Sequence, residues 1–196
     1  MSKIILLDLD GIVIRPRHKY FSVRYSEDHG VPLKDILPFF KGEYKKAARG
    51  ETTIKEVLPA YLSKWRWKGS VEEFLNYWFD SERTLDENVL GVVRDLRNMG
   101  NKIYLVSDNE VERGKYIMEK LGLKNEFDGG FFSFDLGYTK GEPEFFQKVL
   151  NKLNLKPQDL EYWDDDPKNV EVAKEVGINA KVYNSYEEFK EKLSSN

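Results

Sequence analysis

The chain has 196 residues and a mass of 23.0 kDa, enough to bury one full core with room for a small second unit. Its 31 Lys and Arg against 34 Asp and Glu leave a formal net charge of -3, which supplies no electrostatic footprint for nucleic acid or an anionic membrane. Cysteine is absent, which excludes a disulfide framework, a thiolate zinc site and a thiol nucleophile, so any catalysis must use oxygen and nitrogen groups.

The first segment, KIILLDLDGIVI at residues 3–14, is apolar from Ile4 to Leu7, carries Asp8 and Asp10 on alternate positions, turns at Gly11 and returns to Ile12, Val13 and Ile14. It reads as a buried strand that ends in carboxylates. Residues 15–84 then show helical spacing and no convincing strand, far too long for an ordinary connection, and are expected to form a helical insertion. Within TIKEVLPAYLSKWRW and SVEEFLNYWF, Thr53 with Glu56 and Ser70 with Glu73 are capping boxes, and Gly69 separates the two helices. The aromatic residues Tyr61, Trp65, Trp67, Phe74, Tyr77 and Phe79 read chiefly as packing between helices. Arg15, Tyr20, Tyr44, Lys45 and Trp78 are candidates for contact with a ligand, although each also fits a surface or packing role.

From residue 85 onward, helix and strand alternate. Helical spacing covers 86–99, 110–121, 142–153 and 167–176, while KIYLVSD (102–108), GGFFSF (129–134), LEYWDDD (160–166) and AKVYN (180–184) read as strands, and the tail from 187 is a short amphipathic helix. With the first segment, five strands result. Runs that are apolar throughout fit burial on both faces, so the fold class is α/β with a five-stranded parallel sheet. Ligands of such sheets gather beyond the carboxyl ends of the strands, where Asp8, Ser107 and Asp164 fall. No stretch approaches the ~20 apolar residues of a membrane span and no leader-like segment is visible, so a soluble cytoplasmic protein is expected.

The carboxylates need an explanation. Asp8 and Asp10 at one strand end, and Asp164, Asp165 and Asp166 at another, would repel one another by about 4 kcal/mol per pair at 4 Å separation unless protons or a cation offset them. Hard oxygen donors without Cys select Mg²⁺, which leaves coordination positions for water and phosphate. A turn at Asp10 and Gly11 would aim the second carboxylate away from the first, so that Asp8 could attack while Asp10 handles protons. The plainer alternative is that both merely cap a turn. Ser107 in VSDN could donate to a phosphoryl oxygen beside backbone N–H groups at a helix start, or cap that helix in a box with Glu110. Lys140, just before a helix, could neutralise phosphate and aspartate, or simply be solvated. Asp166 before Pro167 fits an N-cap, which leaves Asp164 and Asp165 unexplained by capping.

With these four elements in order, the chain resembles the haloacid dehalogenase-like hydrolase superfamily over nearly its whole length: DLDGIV, LVSDN, Lys140 and DDDPKN match its four motifs. The insertion further resembles the branch with small helical caps that contains sugar-phosphate phosphatases and the phosphatase domain of epoxide hydrolases. The resemblance implies a Rossmann-like core from residues 1–14 and 85–196 and a small all-helical cap from 15–84. It implies that Asp8 attacks phosphorus to form an aspartyl phosphate, that Asp10 protonates the leaving alcohol and later activates water, and that Ser107 and Lys140 hold the phosphoryl group. Mg²⁺ is expected on Asp8, the Asp10 backbone carbonyl and Asp165, with Asp164 acting through a bound water and Asn169 steadying the loop. Three positions depart from the usual pattern: Ile12 for Thr, Asp108 for Asn and Gly141 for Pro. Asp108 in the substrate loop would repel phosphate unless its side chain turns away and leaves only its N–H in the cradle. The expected activity is Mg²⁺-dependent hydrolysis of a small phosphorylated metabolite, a sugar phosphate or similar. The alternatives are a phosphomutase and a weakly catalytic phospho-ligand-binding protein. Neither nucleic acid nor membrane is an expected partner.

Overall fold

Side chains alternate across β1 (Ile4–Asp8), and the two sets enter different cores. Ile5 and Leu7 pack on one face with Ile103, Leu105 and Trp163, whereas Leu6 packs on the other with Val106 and Tyr162. Burial on both sides is why this run is apolar throughout instead of alternating. The structure is a computed structural model and describes residues 2–15 and 19–194.

After β1 the chain turns back on itself, with bridges from Asp10 to Ile14 and from Ile14 to Leu85. It then passes through α1 (Phe21–His29), α2 (Leu33–Lys41), α3 (Glu43–Ala48), α4 (Ile54–Val57), α5 (Pro59–Leu62) and α6 (Val71–Asp80) before α7 (Glu87–Asn98) packs against the sheet. Next come β2 (Lys102–Ser107), α8 (Val111–Lys115) with a π-helical turn at Tyr116–Lys120, α9 (Leu123–Glu126), β3 (Gly129–Phe132) and α10 (Ser133–Leu136). The last third is α11 (Pro143–Leu153), a 3-10 turn at Pro157–Asp159, β4 (Leu160–Asp164), α12 (Pro167–Glu175), β5 (Asn179–Val182) and α13 (Tyr186–Ser194).

The strands form one parallel sheet in the order β3-β2-β1-β4-β5, as the five apolar runs predict. Chain direction across the sheet reverses at β1, which opens a crevice beyond the carboxyl ends of β1, β2 and β4. The α/β Rossmann-like fold class is therefore as expected. No helix among the described residues is long and apolar enough to cross a membrane.

Helices α1 to α6 gather around an aromatic core of their own, in which Tyr25, Phe39, Trp65 and Phe74 are fully buried. The polar atoms that come with these rings are satisfied: Trp65 Nε1 donates to the Asp35 carbonyl at 3.0 Å, and the Tyr25 hydroxyl donates to the Trp65 carbonyl at 3.0 Å. Both capping boxes are formed. The stretch after Thr53 differs from the single helix its pattern suggests, since it splits into α4 and α5 at Pro59, which lacks the N–H that would continue the ladder. Tyr116, from the turn after α8, completes this aromatic core and donates from its hydroxyl to Asp80 Oδ1 at 2.6 Å, so the sheet half anchors the helical segment.

Candidate active site

Asp8 shares the face of β1 that Leu6 occupies and is 3% exposed at the strand end. Lys140 reaches it from the loop before α11: its ammonium pairs with Asp8 Oδ1 and, at 2.7 Å, with Asp164 Oδ2. Asp164, at the end of β4, is fully buried and accepts three further hydrogen bonds, from the Tyr162 hydroxyl, from Asn169 Nδ2 at 3.1 Å and from the Asp166 N–H at 2.7 Å. Asp165 is exposed beside it. Carboxylate oxygens of Asp8, Asp164 and Asp165 all lie within 4.8 Å of one another. The turn after β1 must pass close under this group. Gly11 has φ +97°, and a Cβ there would stand 2.1 Å from Asp165 Oδ2.

Asp10 faces a different way. Its Oδ1 lies 3.3 Å from Arg113 Nη2 and its Oδ2 lies 3.4 Å from Asn109 Nδ2, so the two carboxylates of DLD serve separate surroundings, as the turn at Gly11 leads one to expect. Ser107 ends β2, is 2% exposed and accepts a hydrogen bond from Asn109 Nδ2 at 2.6 Å. The capping expectation needs correction. Ser107 does not cap α8; the cap is Glu110, which accepts from the N–H groups of Glu112 and Arg113 at 2.8 Å each. The helix starts only at Val111, so its orphan N–H groups lie over Glu110 and beyond the reach of Ser107. Asp108 turns aside as its charge requires, and its Oδ1 accepts the backbone N–H of Lys140 at 2.9 Å, tying the second loop to the third. Asp166 caps α12, accepting from the Lys168 N–H at 2.9 Å.

Electrostatics follow from burial. Loss of solvent pushes the Asp8 carboxyl well above the usual range, against the opposing pull of Lys140, and it also raises Asp108. Burial disfavours the Lys140 charge, but Asp8, Asp164 and Asp108 together outweigh it and hold the ammonium above its ordinary value. Burial and the Asp164 charge keep the Tyr162 phenol protonated, a neutral donor. Three carboxylates thus share one ammonium, a deficit that a divalent cation would offset. The donors are all hard oxygens, with no Cys in the chain, so the group fits Mg²⁺.

Beside Asp10 lies a cavity of about 270 Å³ between the helical segment and the loop after β2. Of the candidate contacts read from sequence, Tyr20, Tyr44 and Trp78 line it; Arg15 instead pairs with Asp86 at 3.2 Å, and Lys45 is exposed elsewhere. Glu82, Asn109 and Arg113, which the sequence reading passed over, form its polar end. Arg113 is 2% exposed, lies over the Phe79 ring at 5.6 Å and has Nη1 3.6 Å from Glu82 Oε2. The available signal was its place on the face of the helix that carries Tyr116 and Ile117, where a charge needs a buried partner.

Comparison with known proteins gives a consistent picture. The profile of the haloacid dehalogenase-like hydrolases matches residues 3–177. The phosphorylated carbohydrates phosphatase of Thermotoga maritima is 24% identical over 183 residues, covering 89% of this chain and 81% of that protein. The validoxylamine A 7'-phosphate phosphatase of Streptomyces hygroscopicus subsp. limoneus is 24% identical over 191 residues, covering 91% and 84%. A haloacid dehalogenase family enzyme from Bacteroides thetaiotaomicron, solved as a magnesium complex, superposes with a TM-score of 0.79 at 21% identity over 93% of each chain, which shows a shared fold.

Two outcomes test this geometry. Gly11→Ala should lose at least about 1 kcal/mol of stability in denaturant unfolding, because the left-handed backbone there is strained for alanine and the new methyl group displaces Asp165. Burial pushes the Glu110 carboxyl up to about 7 from an ordinary 4.5, so the folded state holds its proton more tightly than the unfolded chain does. Its contribution to stability is therefore largest below the unfolded value and falls as pH rises to about 7. Relative to Glu110→Gln, the wild type should lose about 2–4 kcal/mol of unfolding free energy between pH 4.5 and 7.

Proposed function

Because the chain belongs to the haloacid dehalogenase-like hydrolases, we propose that it is a Mg²⁺-dependent phosphatase acting on a small phosphorylated metabolite through an aspartyl phosphate on Asp8. The observation that carries this reading is the convergence of Asp8, Asp164 and Asp165 within 4.8 Å, with Lys140 spanning the first two. The two phosphatase relatives support a phosphoric monoester as substrate.

Mg²⁺ would be held by Asp8, the Asp10 backbone carbonyl and Asp165, with Asp164 beside it, and supplies charge neutralisation for the phosphoryl oxygens. Asp164 is already engaged by four donors, which leaves the exposed Asp165 as the more open oxygen donor of the pair. Lys140, the Ser107 hydroxyl and the Asp108 N–H hold the phosphoryl group against Asp8. A carboxylate oxygen of Asp8 forms a bond to phosphorus as the phosphorus–oxygen bond to the alcohol breaks, and Asp10 gives its proton to the departing oxygen. Asp10 then takes a proton from a water, whose oxygen attacks the same phosphorus and releases Asp8 and inorganic phosphate. Arg113 and Asn109 hold Asp10 on the cavity side, where the alcohol oxygen of a bound ester would lie. Residues 15–84 act as the cap that shields the phosphorylated aspartate, and the protein works in the cytoplasm.

Phosphate release from a generic ester should require Mg²⁺ and vanish in excess chelator. Asp8→Ala should reduce it to background, and Asp10→Asn should lower kcat by about 10²–10⁴ with folding unchanged. Turnover by Asp8→Ala at the wild-type rate would overturn the mechanism.

A further inference from the structure

We propose that Arg49 is a positioning residue: from the helical segment it fixes the turn that presents Lys140, so that the seating of this segment over the strand ends governs how firmly the phosphoryl group is held; this rests on the phosphatase reading above. Lys140 is one of two central residues in a turn closed in both directions. The Glu142 N–H donates to the Thr139 carbonyl at 2.9 Å, while the Thr139 N–H and hydroxyl both donate to Glu142 Oε2, at 2.9 Å each. Gly141, where the family pattern has proline, brings neither side chain nor ring to stiffen that turn. On one side the turn is held by Asp108, which accepts the Lys140 N–H at 2.9 Å. On the other it is held by Arg49, whose Nη2 donates to the same Glu142 Oε2 at 2.6 Å. Burial works against the Glu142 charge, but Thr139 and Arg49 outweigh it and keep the carboxyl below its usual value, so the pair is ionic at neutral pH.

Arg49 directly follows α3 and lies 93 residues before Glu142 in the chain, so the contact joins two separate parts of the fold. Its neighbours seat the same edge of the helical segment. Gly50 passes so close to α10 that a Cβ there would stand 2.3 Å from the Phe134 carbonyl oxygen, and Tyr44, on α3 itself, donates from its hydroxyl to Asn109 Oδ1 at 3.2 Å. This short stretch therefore touches the loop after β2, the helix after β3 and the turn before α11. If the segment lifts at this edge, Glu142 Oε2 loses one of its three donors, and the turn is left to its internal closure and to Asp108. An ion pair whose side chains are 34% and 30% exposed contributes little to folding, so its consequence lies in the site and not in the stability of the chain. Groups that hold a reacting centre must sit within about 0.5 Å of their productive place, and a misplacement of about 1 Å can cost about 10²-fold in rate. Because Arg49 acts on the lysine that holds phosphate, its loss weighs equally on every substrate, whatever its leaving group.

The test uses folded protein in saturating Mg²⁺, well below its thermal midpoint. Arg49→Gln should raise the Kd for inorganic phosphate, measured by calorimetry, by at least about threefold. It should lower kcat/KM for p-nitrophenyl phosphate and for acetyl phosphate, two donors with unrelated leaving groups, by factors that agree within about threefold. Arg49→Lys should recover most of the loss, since the pair is a single contact that an ammonium can also make. Adding Glu142→Gln to Arg49→Gln should cost no more than about a further twofold, because both changes remove the same interaction. A smaller rise in Kd, losses that differ between the two donors by more than about threefold, no recovery with lysine, or additive losses in the double variant overturns the role of Arg49 and leaves the phosphatase reading standing. Absence of phosphate release from both donors by the wild type overturns the phosphatase reading, and the Kd for inorganic phosphate then decides on Arg49 alone.

Discussion

Lys140 holds the site together. Its ammonium is buried between Asp8 at the end of β1 and Asp164 at the end of β4, and its backbone N–H is held by Asp108 after β2. Three strand ends are thereby tied to one residue. Buried ion pairs rarely gain much stability, because desolvation consumes most of the attraction, so this arrangement is better understood through what it positions than through what it contributes to folding. Without the lysine, two carboxylates would face each other in a region closed to water. With it, the two lie close together on one ammonium, and the exposed Asp165 stands alongside. Tyr162, Asn169 and the Asp166 N–H saturate Asp164 further, which fixes that carboxylate as the rigid wall of the group.

The two aspartates of DLD illustrate how one turn separates two kinds of chemistry. Asp8 continues the strand and shares the face of Leu6, so it meets Lys140. Asp10 falls in the tight turn that Gly11 permits, and it is turned towards Asn109 and Arg113. The same guanidinium that touches Asp10 also reaches Glu82 and covers Phe79, both at the end of the helical segment. Arg113 is therefore the point at which the aromatic helices and the sheet-borne carboxylates meet. Its burial beside Glu82 is costly unless both charges remain paired, which ties the position of the helices to that of Asp10.

Much of this was legible in residue order. Five largely apolar runs announced a parallel sheet, and the alternation of strand and helix after residue 85 followed from spacing alone. Capping boxes at Thr53 and Ser70 and the Asp166–Pro167 helix start were local signals, set by side chains that bond to backbone within three residues, and they appear as read. Ser107 was misleading because a Ser followed three positions later by Glu is also what a strand end followed by a late helix start produces.

Sequence alone determined the strands, the helix starts at Thr53, Ser70 and Asp166 and the identity of the carboxylates, since these depend on periodicity and on contacts between near neighbours. Only the tertiary structure decided which charges share a centre: that Asp108 clamps the Lys140 loop, that Tyr162 and Asn169 bind Asp164, and that Arg113, Glu82 and Asn109 close an aromatic cavity beside Asp10. Those partners lie on different strands and helices, and their meeting depends on the order in which the sheet is assembled and on how the helices pack over its edge. No local pattern encodes that order, because a buried charge is selected by the group across from it and not by the residues beside it in the chain.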